Sequence, residues 1–164
     1  MPKAYIGLGA NLGDPAAQLR AALDALASSP DIRMLAQSRL YRSTAIGLPD
    51  QADYCNAACA VETALPPEAL FERLLAIERA AGRVRDGRRW GPRVLDLDLL
   101  HYEGVTCDTQ RLRLPHAEIA RRNFVLTPLA EIAPGLVLPE LGPVRELALK
   151  AGSAGLALWP GENP

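Results

Sequence analysis

Two aspartates at i and i+2, Asp96 and Asp98, end a stretch from Gly82 to Leu100 that also carries five arginines (Arg83, Arg85, Arg88, Arg89, Arg93) and Trp90. The glycines and Pro92 make its first half a loop, and the alternation Leu95-Asp-Leu-Asp-Leu99 makes its second half a strand. On a strand, alternate side chains share a face, so Asp96 and Asp98 point one way and the leucines the other. Two carboxylates about 7 Å apart along a strand repel each other unless a positive charge sits between them. A hard divalent cation such as Mg2+ fits, because it takes a few carboxylate oxygens and leaves its other positions to water and substrate phosphates. The adjacent arginines suit a polyanion that a metal alone does not neutralise. The stretch therefore reads as a metal-polyphosphate site. An alternating strand beside a solvated basic loop is the plainer account of either half, but it does not explain why the two occur together.

The totals narrow the field. A chain of 164 residues with 49% apolar and 23% charged side chains is sized and composed as one soluble globular domain, 1–164. A formal net charge of -1 gives no global electrostatic case for nucleic acid or an acidic membrane. Lys3 and Lys150 are the only lysines among 18 basic side chains, and no Gly-Lys-Ser/Thr occurs, which excludes a P-loop. Cys55, Cys59 and Cys107 make an odd count without Cys-x-x-Cys spacing, and His101 and His116 lie far from the first two. Reduced thiols are expected rather than a zinc site or disulfides. No signal-like leader opens the sequence and no apolar run approaches 18 residues, so a cytoplasmic protein is expected.

The elements that must position the site follow in order. Residues 4–8 read as a short buried strand and Gly9 to Gly13 as a tight turn. Gly7, Gly9 and Gly13 miss the Gly-x-Gly-x-x-Gly spacing of a dinucleotide site. Asp14-Pro15 opens a helix with Leu19, Ala22, Leu23 and Leu26 on one face. Residues 33–42 form a second strand, 43–53 a long loop, and 54–63 a third strand with Tyr54, Asn56 and Ala58 on one side. A second helix follows Pro66-Pro67, with a stripe of Leu70, Leu74, Ile77 and Ala81, Glu78 at its margin as a snorkelling edge residue or an acceptor for a ligand, and Gly82 closing it. Residues 94–102 are the fourth strand. The order β-α-β-β-α-β predicts an α+β, ferredoxin-like core with an antiparallel sheet and both helices on one face. Residues 103–164 must cover the other face, giving three layers, αβα. Within them 117–122 looks helical, and 134–164 wraps the core.

Three stretches resemble one known family. They are Ala4 to Asp14 (Ala-Tyr-Ile-Gly-Leu-Gly-Ala-Asn-Leu-Gly-Asp), Gly82 to Asp98 with its Arg-Trp-Gly-Pro-Arg-Val-Leu-Asp-Leu-Asp string, and a C-terminal block of Leu114-Pro-His116, Arg122 to Leu129 and Glu131 to Pro134. The family is 6-hydroxymethyl-7,8-dihydropterin pyrophosphokinase, of folate biosynthesis. The resemblance implies transfer of diphosphate from ATP to the hydroxymethyl oxygen of the pterin, releasing AMP, with ATP as co-substrate and two Mg2+ ions. It implies Asp96 and Asp98 as the metal ligands and, with Arg83 and Arg93, the catalytic set. Glu78, Arg85, Arg93, Leu99, Arg111, His116 and Arg122 would bind ATP. Ser43, Thr44, Ile46, Tyr54, Asn56, Trp90 and Phe124 would bind the pterin, with Trp90 and Phe124 as stacking walls. Thr44, Arg113 and Ala117 depart from residues frequent at their positions. A monomer is the family-like expectation.

The residues agree with that picture. Stacking between two aromatic rings is worth about 1 kcal/mol per pair beyond area. Asn56 offers both a donor and an acceptor to a heterocycle edge. No His or Glu stands out as a base, so alignment and charge neutralisation would carry the reaction. Two rivals share the topology. A non-catalytic ferredoxin-like nucleotide-sensing domain would not need paired aspartates facing an arginine loop. An RNA-binding domain would want exposed aromatics and a basic sheet face.

Overall fold

A computed structural model describes residues 1–44, 52–82 and 95–164. Strand β1 (Lys3–Ala10) runs two residues beyond the expected 4–8, because Ala4, Ile6, Leu8 and Ala10 continue one apolar row and the chain turns only at Asn11. Helix α1 (Pro15–Ala27) starts as its sequence requires. The Asp14 carboxylate accepts from Ala17 N at 3.2 Å, and Pro15 holds the first helical position, where no N–H is needed. The expected strand 33–42 is two strands, β2 (Ile32–Gln37) and β3 (Tyr41–Ser43). Ser38 is the reason: its N–H donates to Ala58 O while Ala58 N donates to the Ser38 hydroxyl, both at 2.9 Å. A side chain thus takes one rung of the ladder and the main chain steps away at Arg39.

Strand β4 (Tyr54–Thr63) matches its expected bounds. Helix α2 (Pro67–Ala80) ends at Gly82, whose φ of 91° is the left-handed value that favours glycine after a helix. Strand β5 (Asp96–Tyr102) closes the sequence of core elements. Two short ribbons follow: β6 (Cys107–Asp108) with β7 (Arg113–Leu114), and later β8 (Val137–Leu138) with β9 (Gly142–Pro143). Between them a single 3-10 turn, Ile119–Arg121, stands where a helix over 117–122 was expected, and it leads into α3 (Asn123–Ile132). Helix α4 (Val144–Ala151) and strand β10 (Leu156–Leu158) end the chain.

The sheet is antiparallel and six-stranded, in the order β10-β3-β4-β1-β5, with β2 also on β4. Its two faces are covered separately. Ile6, Leu8, Cys59, Val61, Leu97 and Leu99 pack under Leu19, Leu23 and Leu26 of α1 and Leu70 and Leu74 of α2. Tyr5, Ala58, Ala60 and Leu100 pack under Val125, Leu126 and Leu129 of α3 and Val144 of α4. The described residues thus form a mixed α/β structure of four helices on an antiparallel sheet. No helix among them is long and apolar enough to cross a membrane.

Candidate active site

The register across the sheet places the site. Asp96 lies opposite Gly9 and Asp98 opposite Gly7 on β1, and Gly9 in turn lies opposite Asn56 on β4. Both aspartates are half-buried while Leu97 and Leu99 are fully buried on the other face, so the predicted alternation holds. Strands about 4.8 Å apart put Asp96 and Asn56 about 10 Å from each other, with Gly9 at the register position between them. The space over the two glycines is taken by neighbouring side chains. A Cβ on Gly9 would lie 3.2 Å from Asn56 Nδ2, and one on Gly7 3.3 Å from Leu100 Cδ2. Gly9 therefore belongs to the strand and the site, not to the tight turn that its sequence suggested.

Asn56 is 4% exposed and fixed in orientation: the Ser43 hydroxyl donates to its Oδ1 at 2.5 Å. That bond leaves the amide NH2 as the group directed toward β1. Tyr54 is paired with Ser43 in the register and is half-buried. Ser43, Thr44 and Phe124 line a cleft of about 320 Å³ that Asn123 and Gly155 help to wall. Thr44 is tied there by its N–H, which donates to Gly155 O at 3.1 Å. The Arg122 guanidinium carbon stands 5.8 Å from the centre of the Phe124 ring, a cation-π distance.

A second cleft, of about 150 Å³, brings together Asp98, Leu99, Arg111 and His116 with Phe71 and Arg113. His116 Nδ1 accepts the Glu118 N–H at 3.2 Å, which puts the ring proton on Nε2 when the ring is neutral. Nε2 faces Asp98 Oδ1 at 3.9 Å, too long for a hydrogen bond. Arg111 is ion-paired with Glu72 and lies 5.5 Å from the centre of the Phe71 ring. Arg113 binds Asp108 through Nε and Nη2, both at 2.9 Å. These pairs are exposed and each is worth about 1 kcal/mol or less, so a phosphate can compete for either arginine at little cost.

Glu78 is where the structure departs from the sequence reading. It is not a snorkelling edge residue. Its side chain is 3% exposed and its Oε2 accepts the Leu97 N–H at 2.7 Å. Beside Asn56, from its register partner Tyr41, runs a second polar network that sequence did not assemble. The Tyr41 hydroxyl donates to Glu131, as do the backbone N–H and Nε of Arg39 at 2.8 and 3.0 Å. Burial pushes the Tyr41 hydroxyl up to about 12, and its bond to Glu131 adds to that. Burial alone would raise the Glu131 carboxyl, but the hydrogen bonds from Tyr41 and Arg39 outweigh it and hold the group below its ordinary value.

Asp96 and Asp98 are hard oxygen donors on one face. Among the described residues no three His, Cys, Asp or Glu side chains gather as a complete metal cage. That donor set suits a cation that keeps positions for water and phosphate, as Mg2+ does, and not a structural zinc. Of the other expected site residues, Ile46, Arg83, Arg85, Trp90 and Arg93 lie outside the described residues. Phe71, Gly7, Gly9 and Asn123 were not expected at all. Only the glycines left a signal in the sequence, as two gaps at i and i+2 in an otherwise apolar strand.

A paired-aspartate edge beside arginines and an aromatic-walled cleft, on an antiparallel α/β scaffold, suits the class of proteins that handle a phosphorylated ligand with a hard cation. Comparison with known proteins narrows it. Residues 5–134 match the model of the family described as 7,8-dihydro-6-hydroxymethylpterin-pyrophosphokinase (HPPK). A 2-amino-4-hydroxy-6-hydroxymethyldihydropteridine pyrophosphokinase of Methylorubrum extorquens is 50% identical over 156 residues, 95% of this chain and 98% of its own. The protein of the same name from Pseudomonas aeruginosa is 43% identical over 97% of this chain and 98% of its own. Among solved structures, that of Plasmodium falciparum HPPK-DHPS with pteroate superposes with a TM-score of 0.71 at 14% identity. The match covers 91% of this chain and 42% of the Plasmodium one, a likeness of fold alone. The chain belongs to the 7,8-dihydro-6-hydroxymethylpterin-pyrophosphokinase family, the ATP-dependent pyrophosphokinases of folate biosynthesis.

Proposed function

We propose that the chain transfers a diphosphate group from ATP to the hydroxymethyl oxygen of 6-hydroxymethyl-7,8-dihydropterin, releasing AMP. The pterin alcohol oxygen forms a bond to the β-phosphorus and the bond from that phosphorus to the α–β bridging oxygen breaks. AMP leaves with the electron pair, and the alcohol proton passes to solvent water. The observation that carries the reading is the register: Asp96 and Asp98 face Gly9 and Gly7, and beyond Gly9 stands the oriented Asn56. An acidic edge and an oriented amide thus lie on one face of the sheet, on either side of Gly9.

The roles divide along that face. Asp96 and Asp98 would hold two Mg2+ ions, whose charge offsets that of the triphosphate when bound. Leu99, Arg111 and His116 line the nucleotide side, with Arg122 nearer Phe124. Ser43, Thr44, Tyr54, Asn56 and Phe124 form the pterin side, to which Trp90 and Ile46 are assigned on sequence. Arg83, Arg85 and Arg93 are assigned, also on sequence, to gripping the phosphates. The reacting groups are aligned and their charge neutralised, with no separate base. The strand order β2/β3-β4-β1-β5 and the placement of α1 and α2 on one face support a ferredoxin-like βαββαβ core. A monomeric, cytoplasmic, single-domain enzyme is consistent with both.

The test is to incubate the protein with ATP, Mg2+ and 6-hydroxymethyl-7,8-dihydropterin and to separate the nucleotides. AMP formed only when the pterin is present is the expected result; ADP, or no turnover, sinks the proposal. Asp98→Ala removes a half-exposed carboxylate and is expected to cut turnover roughly a thousandfold with the fold intact. Arg93→Ala is expected to lower kcat more than pterin affinity, and a pure affinity loss would refute its phosphate role.

A further inference from the structure

Glu78 is the only carboxylate fully buried among the described residues. A buried carboxylate costs several kcal/mol unless its oxygens are satisfied, so its position calls for a reason. One of its partners, the Leu97 N–H, belongs to the residue between Asp96 and Asp98. Strand β5 is an edge strand: β1 occupies one side of it, and the amide that reaches Glu78 lies on the other. An edge N–H there could be satisfied by water at far lower cost. Three residues on, the same edge is held again, because His116 N donates to Leu100 O at 2.9 Å. These two bonds bracket Asp98.

We infer that Glu78 is a positioning residue for the aspartate pair, acting through the Leu97 amide and not by touching the nucleotide. The inference rests on Asp96 and Asp98 being the metal ligands. A charge-assisted bond of 2.7 Å fixes the peptide plane between the two aspartates and so the direction in which both side chains leave the strand. It also locks the last turn of α2 against β5, so that the pair sits on a braced edge. Ligand-orienting partners of this kind typically change metal affinity by about 10–100-fold when removed.

Three variants separate the readings. Glu78→Leu removes the acceptor at similar volume, Glu78→Gln keeps an acceptor of the same reach, and Glu78→Asp keeps the charge but falls short of Leu97. Three quantities are measured: exchange of the Leu97 amide in the metal-free protein by NMR, binding of Mn2+ with ATP, and kcat and KM for both substrates. Glu78→Leu and Glu78→Asp are expected to speed Leu97 exchange, weaken Mn2+ binding about 10–100-fold and lower kcat, with KM for the pterin unmoved. Glu78→Gln is expected to recover most of all three. The inference is overturned if Glu78→Asp behaves as wild type while Glu78→Gln does not, since charge and not reach would then matter. It is also overturned if only KM for ATP rises, or if melting temperature falls while Mn2+ binding and kcat hold. Should Glu78→Leu not fold, the Asp and Gln variants decide alone. Asp98→Ala run alongside keeps the two ideas apart. Lost Mn2+ binding in Asp98→Ala with none lost in the Glu78 variants ends only the inference; Mn2+ binding retained in Asp98→Ala ends the metal reading and the inference with it.

Discussion

The two faces of the central sheet come from the same strands and share almost nothing else. Toward α1 and α2, β1 presents Ala4, Ile6, Leu8 and Ala10, β4 presents Cys55, Ala57, Cys59 and Val61, and β5 presents Leu97 and Leu99. Every one of these is buried and apolar, and burial pushes the Cys55 and Cys59 thiols up to about 12, which keeps them neutral and inert. Toward α3 and α4 the same strands present Tyr5, Gly7 and Gly9, then Asn56, Ala58 and Ala60, then Asp96, Asp98 and Leu100. Among the described residues Tyr5, Ala58, Ala60 and Leu100 of that face are packed under helices, with Leu100 over Gly7; toward Gly9 the side chains are polar, those of Asn56, Asp96 and Asp98. One face is apolar throughout, and the other carries the polar groups to which binding is assigned. Substitutions should therefore separate stability from binding according to the face they strike.

The largest effect is expected on the apolar face. Leu19, fully buried on α1, loses both transfer energy and packing when cut to alanine, about 2–5 kcal/mol of stability. Denaturant titration measures that loss, and turnover per folded molecule is expected to stay within about twofold of wild type. If Leu19→Ala reduced kcat as strongly as it reduced stability, the two faces would not be separable. On the other face the balance reverses. Gly9 has an ordinary strand backbone that alanine accepts, yet the new Cβ would stand 3.2 Å from Asn56 Nδ2, and that amide is held by Ser43. Gly9→Ala is expected to weaken pterin binding about tenfold, or 1.4 kcal/mol, with much less change in stability. Gly7→Ala serves as its control. There the Cβ meets the flexible end of Leu100, so binding should change far less. Calorimetric titration with the pterin would show it, and equal losses in both variants would mean that the packing against Asn56 has no particular part in binding.

The difference between the faces also explains what the sequence could reveal. The apolar face was legible almost in full, because a buried apolar row repeats with the period of its element. Leu19, Leu23 and Leu26 on α1 and Leu70 and Leu74 on α2 announce themselves that way. The β5 alternation and the aspartate pair were legible for the same reason. What was not legible depends on partners distant in the chain. Gly9 reads as a turn until β4 and β5 are laid on either side of it. Ser38 splits a strand only because Ala58 lies across from its hydroxyl. Glu78 reads as a helix margin until Leu97, 19 residues on, supplies the N–H that draws it inward. Helix α3 carries Pro128 in its interior, a residue that ordinarily marks a helix end, so burial against β4 and not propensity holds it in place.

The smallest effect predicted lies at the packed end of the aspartate-bearing face and concerns acid. His101 is 5% exposed, stacked on Tyr5 with ring centres 6.0 Å apart, and its Nδ1 has no hydrogen-bond partner among the described residues. Burial lowers its pKa from 6.5, and the nearby Glu103 only partly offsets that. In the unfolded chain the same ring takes up a proton near its ordinary value, so below about pH 6.5 the unfolded state binds more protons than the folded one. The neutral ring's contribution is thus fully present above that pH and is lost as pH falls, with a slope of at most about 1.4 kcal/mol per pH unit. Glu131, also lowered, contributes in the same direction but only as pH falls through the carboxylate range below 4.5, which leaves the interval between the two values to His101. His101→Phe keeps a stacked ring without a titrating nitrogen and is expected to flatten the stability curve between pH 6.5 and 5 while leaving the steeper loss below 4.5. Denaturation midpoints across that range measure it. An unchanged slope in the variant would show that the packed end of this face tolerates a charge, and would erase its distinction from the polar end at Asp96 and Asp98.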